Sequence, residues 1–190
     1  MPKSKRSSKR RVDRKMPKPK KTKSESARLK ATLRSARPIN AALKTLVIAA
    51  EPPIDSNPAH LDSAFRGKLE RALAQLSAQG NPFRFVEGFR MVDRQQWLYG
   101  SGRPSAVPYG RPGPILTNAD GVNALSKHQG NGTPGSGLAA DCYPLRGGSV
   151  YIPPDTDPIW DQYAAAVVAQ GLVAGRNFPK FKDSPHCEMP

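Results

Sequence analysis

Apolar residues recur at steps of three and four between Leu61 and Gln79: Leu61, Phe65, Leu69, Leu73 and Leu76. That period lines one face of an amphipathic helix. Asp62 or Ser63 suits its start, and Gly80 its end. The pattern then shortens. Phe83-Arg84-Phe85-Val86-Glu87 alternates large apolar and polar side chains, which predicts a strand. A short helix from Arg94 to Tyr99 follows, with Asp93 as its cap and Gly100 as its stop. Leu138 to Tyr143 and Ser149 to Ile152 read as strands, and Arg146-Gly147-Gly148 turns between them as a hairpin. A last helix opens at Asp157-Pro158, with Asp157 as cap and Pro158 at the first helical position. Trp160, Tyr163, Ala164, Val167 and Val168 form its apolar stripe, and Gly171 closes it. The segment from Pro185 reads as a short final strand.

Between these elements lie stretches with no period. Residues 100–125 are rich in Gly and Pro and predict a long loop, a common form for binding loops. Residues 38–60 are interrupted by Pro38, Pro52, Pro53 and Pro58, which exclude a long helix. Ile39 to Ala50 suits a short helix packed on the body.

Charge divides the chain more sharply than hydropathy does. The 190 residues carry a net charge of +15. Residues 1–37 hold 16 of the 30 Lys and Arg, with only Asp13 and Glu25 against them. The rest is almost neutral. With few apolar residues, the stretch 1–37 cannot offset the entropy of ordering its backbone, so a disordered basic tail is expected ahead of a 38–190 domain. Such a tail suits a polyanion: an acidic envelope or virion surface, or nucleic acid. The body carries no nucleic-acid recognition motif. The only apolar run near the N-terminus, Leu46-Val47-Ile48-Ala49-Ala50, is too short for an export signal and sits behind too long a basic stretch. No run approaches the ~20 residues of a membrane span.

The candidate chemistry sits in two short stretches. One holds Ser126-Lys127-His128 and Gly137-Leu138-Ala139-Ala140-Asp141. The other is Asp183-Ser184-Pro185-His186-Cys187-Glu188. Hydrolytic zinc commonly takes three protein ligands and leaves one position open. His128, Asp141 and His186 are that candidate set. A nearby carboxylate must then move the proton of the attacking water. Asp183 is the first candidate. Glu188, two residues past His186 in a strand, is the alternative, or else it orients a ligand imidazole. Arg90, at a strand-to-helix junction, can hold a carboxylate or a developing oxyanion, or pair with Glu87 or Asp93. The third histidine, His60, has no partner motif and reads as a surface or capping residue. Cys142 and Cys187 each follow a candidate ligand, so on a strand both thiols face away from the metal. They read as two small buried hydrophobes, with a cross-strand disulfide as the alternative.

These residues resemble the zinc D-alanyl-D-alanine carboxypeptidases and the phage L-alanyl-D-glutamate endolysins. That family's signature is S-x-H, then G-x-A-x-D, then D-x-x-H with an acid or amide two residues on. Upstream, Glu87-Gly88-Phe89-Arg90, Gln95 or Gln96, Leu98-Tyr99 and Gly102-Arg103 resemble its G-[YF]-R, Q, L-Y, G-R block. Leu116-Thr117-Asn118-Ala119 resembles its approach to the first ligand, and the likeness runs over residues 80–190. The resemblance implies an α+β fold whose small antiparallel sheet, flanked by helices, carries the zinc. It implies His128, Asp141 and His186 as ligands, Asp183 as base and Arg90 at the oxyanion or substrate carboxylate. Ser126, Glu188, Gln95 and Tyr99 are then substrate-binding residues or supports of the ligands. The substrate implied is the peptidoglycan stem peptide, cut by an endopeptidase of phage lysis or virion type released from a host cytoplasm or carried in a virion, or trimmed by a D,D-carboxypeptidase. A non-enzymatic virion protein that binds a polyanion through its tail is the reading from another class. One departure stands out: twelve residues separate His128 from Asp141 where the family has six. The surplus falls in residues 130–136, a stretch suited to a protruding loop that reshapes the substrate groove.

Overall fold

The computed structural model describes residues 50–190. The expected tail, 1–37, and the expected helix from Ile39 lie outside them, as does the boundary of the 38–190 domain. The body is an α+β fold, with three α-helices and a five-stranded antiparallel sheet among the described residues.

Helix α1 spans Ser63–Ala78, and Asp62 caps it by accepting the amide hydrogens of Ala64 and Phe65. Leu61 stays outside the helix, buried in an isolated bridge to Gly137. Strand β1, Phe83–Glu87, falls on the alternating segment. Helix α2 is Val92–Tyr99 and begins two residues before its predicted start. Asp93 therefore lies in its first turn, where a carboxylate faces the positive end of the helix dipole, instead of at the cap. Strand β2, Ala139–Arg146, turns through Gly147 and Gly148, both at positive φ (59° and 79°), into the two-residue strand β3, Ser149–Val150. Only glycine adopts that pair of angles cheaply, which is why the hairpin falls there. Helix α3, Ile159–Ala169, starts one residue later than expected: Pro158 holds the cap position instead of the first helical one, and Asp157 before it still accepts the Ile159 amide at 3.0 Å. The strands β4, Val173–Ala174, and β5, His186–Glu188, complete the sheet.

The strand order is β1-β2-β5-β4, with β3 paired to β2. The C-terminal strand is thus central, seated between β2 and β4. Its register places His186 opposite Asp141 and Cys187 opposite Ala140. One face of the sheet is covered by α1 and α3. Phe65, Leu69 and Leu76 from α1 meet Trp160, Tyr163 and Val167 from α3 over Phe83, Cys142 and Cys187. Burying each such aliphatic or aromatic side chain contributes about 1.5–3 kcal/mol. Phe83 stacks on Tyr163 with ring centroids 4.8 Å apart. The α3 stripe differs from the sequence pattern at one point: Val168 is half exposed, and Ala166 is buried in its place. Both cysteines are free thiols within this core, so the small-hydrophobe reading holds over the disulfide.

Candidate metal centre

The other face of the same strands carries the polar cluster. Side chains alternate along a strand. With Cys142 and Cys187 in the core, Asp141, His186 and Glu188 point the opposite way. His128 arrives from a 3-10 turn, Lys127–Gln129, held by a capping box: the Ser126 hydroxyl accepts from the His128 amide, and the Gln129 side chain accepts from the Ser126 amide. Ser126 thus fixes the backbone of the first candidate ligand, and it also lines the cavity.

His128 is fully buried, and its Nδ1 lies 2.6 Å from the Gly88 carbonyl oxygen. A carbonyl only accepts, so Nδ1 carries the hydrogen and Nε2 turns its lone pair to the cluster. His186 is held the other way round, with Nε2 donating to Glu188 at 3.0 Å and Nδ1 facing inward. His128 Nε2 and His186 Nδ1 stand 3.2 Å apart. Asp141 Oδ1 is 3.2 Å from the latter and 3.5 Å from the former. A tetrahedral ion with bonds of about 2.0–2.1 Å separates its ligand atoms by about 3.3 Å. Two imidazole lone pairs and a carboxylate oxygen at these spacings can hold a divalent metal, and all three residues offer ligand atoms within 4.8 Å of one another.

The titration of the cluster follows from its burial. Burial depresses the His128 pKa, which keeps the imidazole neutral, as a ligand must be. Burial opposes charge on Asp141 too, but the Arg90 guanidinium and the hydrogen bond from His186 overcome it and hold the carboxylate well below its usual range. In the metal-free cluster His186 moves up to about 9: burial works against its charge, and hydrogen bonds to Asp141 and Glu188 outweigh it, so a metal would bind by displacing its Nδ1 proton.

Asp183 lies in the same cavity and makes no side-chain hydrogen bond among the described residues. Burial, reinforced by the Asp141 charge, raises its pKa to about 6. Its backbone is fixed on both sides. The Asp183 amide donates to the Gly175 carbonyl, and its own carbonyl accepts from the His186 amide, each at 3.1 Å. A side chain at position 175 would come within 2.4 Å of the Asp183 carbonyl oxygen and 2.8 Å of His186 Cβ. Gly175 is therefore what lets this turn close.

Arg90 is engaged from two sides. Its Nη2 donates to Asp141 Oδ2 at 2.6 Å and to Glu87 Oε2 at 3.1 Å, and its Nη1 to Gln95 at 3.3 Å. The Glu87 pairing foreseen from the sequence is present, but buried, not at the surface. Among the described residues, Arg90 Nε is buried without a partner. Gln95 is fully buried and passes its own donors to Thr117 and the Ala119 carbonyl, so it braces Arg90 and the cavity wall from behind. Glu188 sits at the His186 imidazole, the orienting place and not that of the base. Tyr99 is not brought to the cluster. It borders a separate concavity with Gln96 and Asn123, and the Arg103 guanidinium stacks 4.0 Å over its ring. His60 pairs with Asp55 at 2.7 Å, away from the other two histidines.

The cavity over the cluster measures about 520 Å³. Its mouth carries exposed apolar side chains, Ile54, Leu116, Leu125 and Phe181, and Phe178 packs 5.8 Å from the His186 ring. None of residues 129–140 lines it. The 130–136 insert is therefore not part of the cavity wall. Gly135 donates to the His60 carbonyl, and Asp62 to that of Gly137, so the insert is tied down beside the start of α1. Sequence reasoning also missed the Gly88 carbonyl and the Phe178 contact, neither of which has a pattern of its own.

No protein-family model matches the chain. Among solved structures it is similar to the crystal structure of the Serratia marcescens L-Ala D-Glu endopeptidase ChiX. The identity is 21%, the alignment covers 70% of this chain and 84% of that one, and the TM-score is 0.47.

Proposed function

We propose that this chain is a zinc-dependent peptidase that hydrolyses an amide bond in the peptidoglycan stem peptide. The observation that carries this reading is one cavity holding three converging ligand atoms, with both imidazoles oriented by their other nitrogen, beside a buried Asp183 that makes no side-chain hydrogen bond among the described residues. The substrate class comes from the resemblance of the S-x-H, G-x-A-x-D and D-x-x-H motifs.

His128, Asp141 and His186 would hold the ion. Zinc would supply a Lewis acid that polarises the scissile carbonyl and acidifies water. Asp183 takes the proton of a water placed against that carbonyl and delivers it to the departing amine. Arg90 fixes Asp141 and is the cation of the cavity wall that would face the developing oxyanion. Glu188 holds the His186 ring, and Ser126 the His128 backbone.

Within this reading we favour an endopeptidase of phage lysis or virion-associated type over a D,D-carboxypeptidase, with residues 1–37 seeking an anionic envelope, virion surface or nucleic acid. Only the charge of that stretch supports this choice. Among the described residues no helix is long and apolar enough to cross a membrane. The test is mass spectrometry of fragments released from purified peptidoglycan by the zinc-loaded protein, a chelated sample and Asp183→Ala. Zinc-dependent release that Asp183→Ala lacks is expected, and fragment masses name the bond. No release across several wall chemistries, with zinc bound, would transfer the bet to a polyanion-binding structural protein.

A further inference from the structure

A line of alternating charges leaves the metal centre and runs to the surface. Asp141 Oδ2 accepts from Arg90 Nη2 at 2.6 Å, and the same nitrogen donates to Glu87 Oε2 at 3.1 Å. Glu87 Oε1 accepts from Arg94 Nε at 2.8 Å, and Arg94 Nη1 reaches Glu51 at 2.5 Å. Side-chain exposure is 13% at Asp141, 10% at Arg90, 8% at Glu87 and 7% at Arg94, and rises to 51% only at Glu51. Four charges are thus buried in sequence, each held by the next.

The fold makes this line deliberately local. Phe85 pairs with Cys142, and Glu87, not Val86, pairs with Asp141. The register shift between Phe85 and Glu87 is a bulge of one residue. Bulges re-aim side chains beside functional sites. Here the bulge sets Glu87 directly across from the candidate ligand. Arg94 comes from the first turn of α2, immediately after the chain leaves the site. The Arg90 amide, meanwhile, donates to the His128 carbonyl and ties the same segment to a second ligand.

We infer that Glu87 and Arg94 are positioning residues for Asp141, acting through Arg90, and that they set the metal affinity of the centre; this rests on the metal reading above. A guanidinium against a carboxylate competes with a metal cation for the same negative charge. Sharing Arg90 between Asp141 and Glu87 weakens that competition, and it still holds Oδ2 so that Oδ1 alone faces the imidazoles. Arg94 then balances Glu87, whose carboxylate would otherwise be buried with half a partner.

The inference predicts opposite consequences for the two inner members of the line, Glu87 and Arg94. Glu87→Gln keeps shape and removes charge, so the whole of Arg90 falls on Asp141. Its zinc affinity should drop about 10–100-fold, the usual cost of losing a ligand's outer partner. Adding Arg94→Gln removes a buried cation left with only the half-exposed Glu51 as its partner and should return several-fold of that loss, where a purely structural role would make the double variant worse. The experiment is competition of the purified full chain with a chromogenic zinc chelator, alongside far-UV circular dichroism of the metal-free proteins. A folded Glu87→Gln within twofold of wild type overturns the inference, as does a double variant weaker than Glu87→Gln alone. Should Glu87→Gln not fold, Glu87→Asp keeps the charge but cannot span both arginines, and wild-type affinity there overturns the inference equally. Failure of the wild type itself to take zinc is a separate result, and it removes the metal reading together with this one.

Discussion

The two faces of strands β2 and β5 obey different rules, although their residues alternate one by one. Ala140, Cys142 and Cys187 face α1 and α3, with no exposed surface and no charge. Asp141, His186 and Glu188 are their immediate neighbours and face the cavity. The first face is specified by volume: what matters is that Phe65, Trp160 and Tyr163 fill the space against it. The second is specified by direction, because each polar atom must meet one named partner. Changes on the core face should therefore cost stability and spare chemistry in whatever remains folded. Changes on the site face should cost metal binding or chemistry, and in one case should increase stability.

The largest contrast is expected from His186→Ala set beside Trp160→Ala. The first should abolish tight zinc binding and reduce peptidoglycan cleavage to background, since it deletes one of three ligands. The second should cost about 3–5 kcal/mol in denaturant unfolding by opening a cavity in the core, with the zinc affinity of the folded fraction unchanged. Loss of zinc affinity in a folded Trp160→Ala would erase the distinction.

Asp183→Asn sharpens it next. Cleavage should fall about 10²–10⁴-fold, with zinc affinity kept within a few-fold. The wild-type rate should also depend on this group. Asp183 acts as a base only when ionised, so kcat/KM should fall as pH drops through about 6. The same substitution should stabilise the metal-free protein. A carboxyl whose folded pKa is raised favours the folded state only while protonated, so its contribution is lost as pH rises from its unfolded value near 3.9 through about 6. At pH 8 the Asn variant should gain on the order of 1–3 kcal/mol, and the gain should vanish near pH 4. Unfolding free energies across that range check the sign.

The smallest effect is expected at Tyr163→Phe, on the core face. The Tyr163 hydroxyl is buried beside the Cys142 and Cys187 thiols and makes no hydrogen bond to nitrogen or oxygen among the described residues. Its removal should change unfolding free energy by no more than about 1 kcal/mol, in the stabilising direction, because no strong partner is orphaned. A large loss would mean that the hydroxyl is held by the neighbouring thiols.

The amphipathic helices were legible because each repeats a period long enough to read, as with Phe65, Leu69 and Leu76. Asp62 and Asp157 were legible as acceptors at helix starts because their role depends on neighbours two or three residues away. His128, Asp141 and His186 could be named because local motifs surround them, although their meeting point depends on the register of β2 against β5. What stayed hidden is non-local or too short to carry a period. The two-residue strand β4 has none. The start of α2 at Val92 leaves no apolar mark. The bulge that sets Glu87 against Asp141 is an event of strand pairing, invisible in Phe85-Val86-Glu87 itself. Tyr99 shares a sequence block with Arg90, but α2 carries it to another concavity. The 130–136 insert reads as a protruding loop, and its anchor is the His60 carbonyl, which accepts from Gly135, distant in sequence and unsignalled by any motif.

The most direct measurement is an anomalous difference map at the zinc edge from crystals of the full chain grown with zinc. One peak at about 2.0–2.2 Å from His128 Nε2, His186 Nδ1 and an Asp141 carboxylate oxygen is the predicted result. A map with no peak between those three atoms, from protein shown to be folded and exposed to zinc, would contradict the metal centre and with it the proposed hydrolysis.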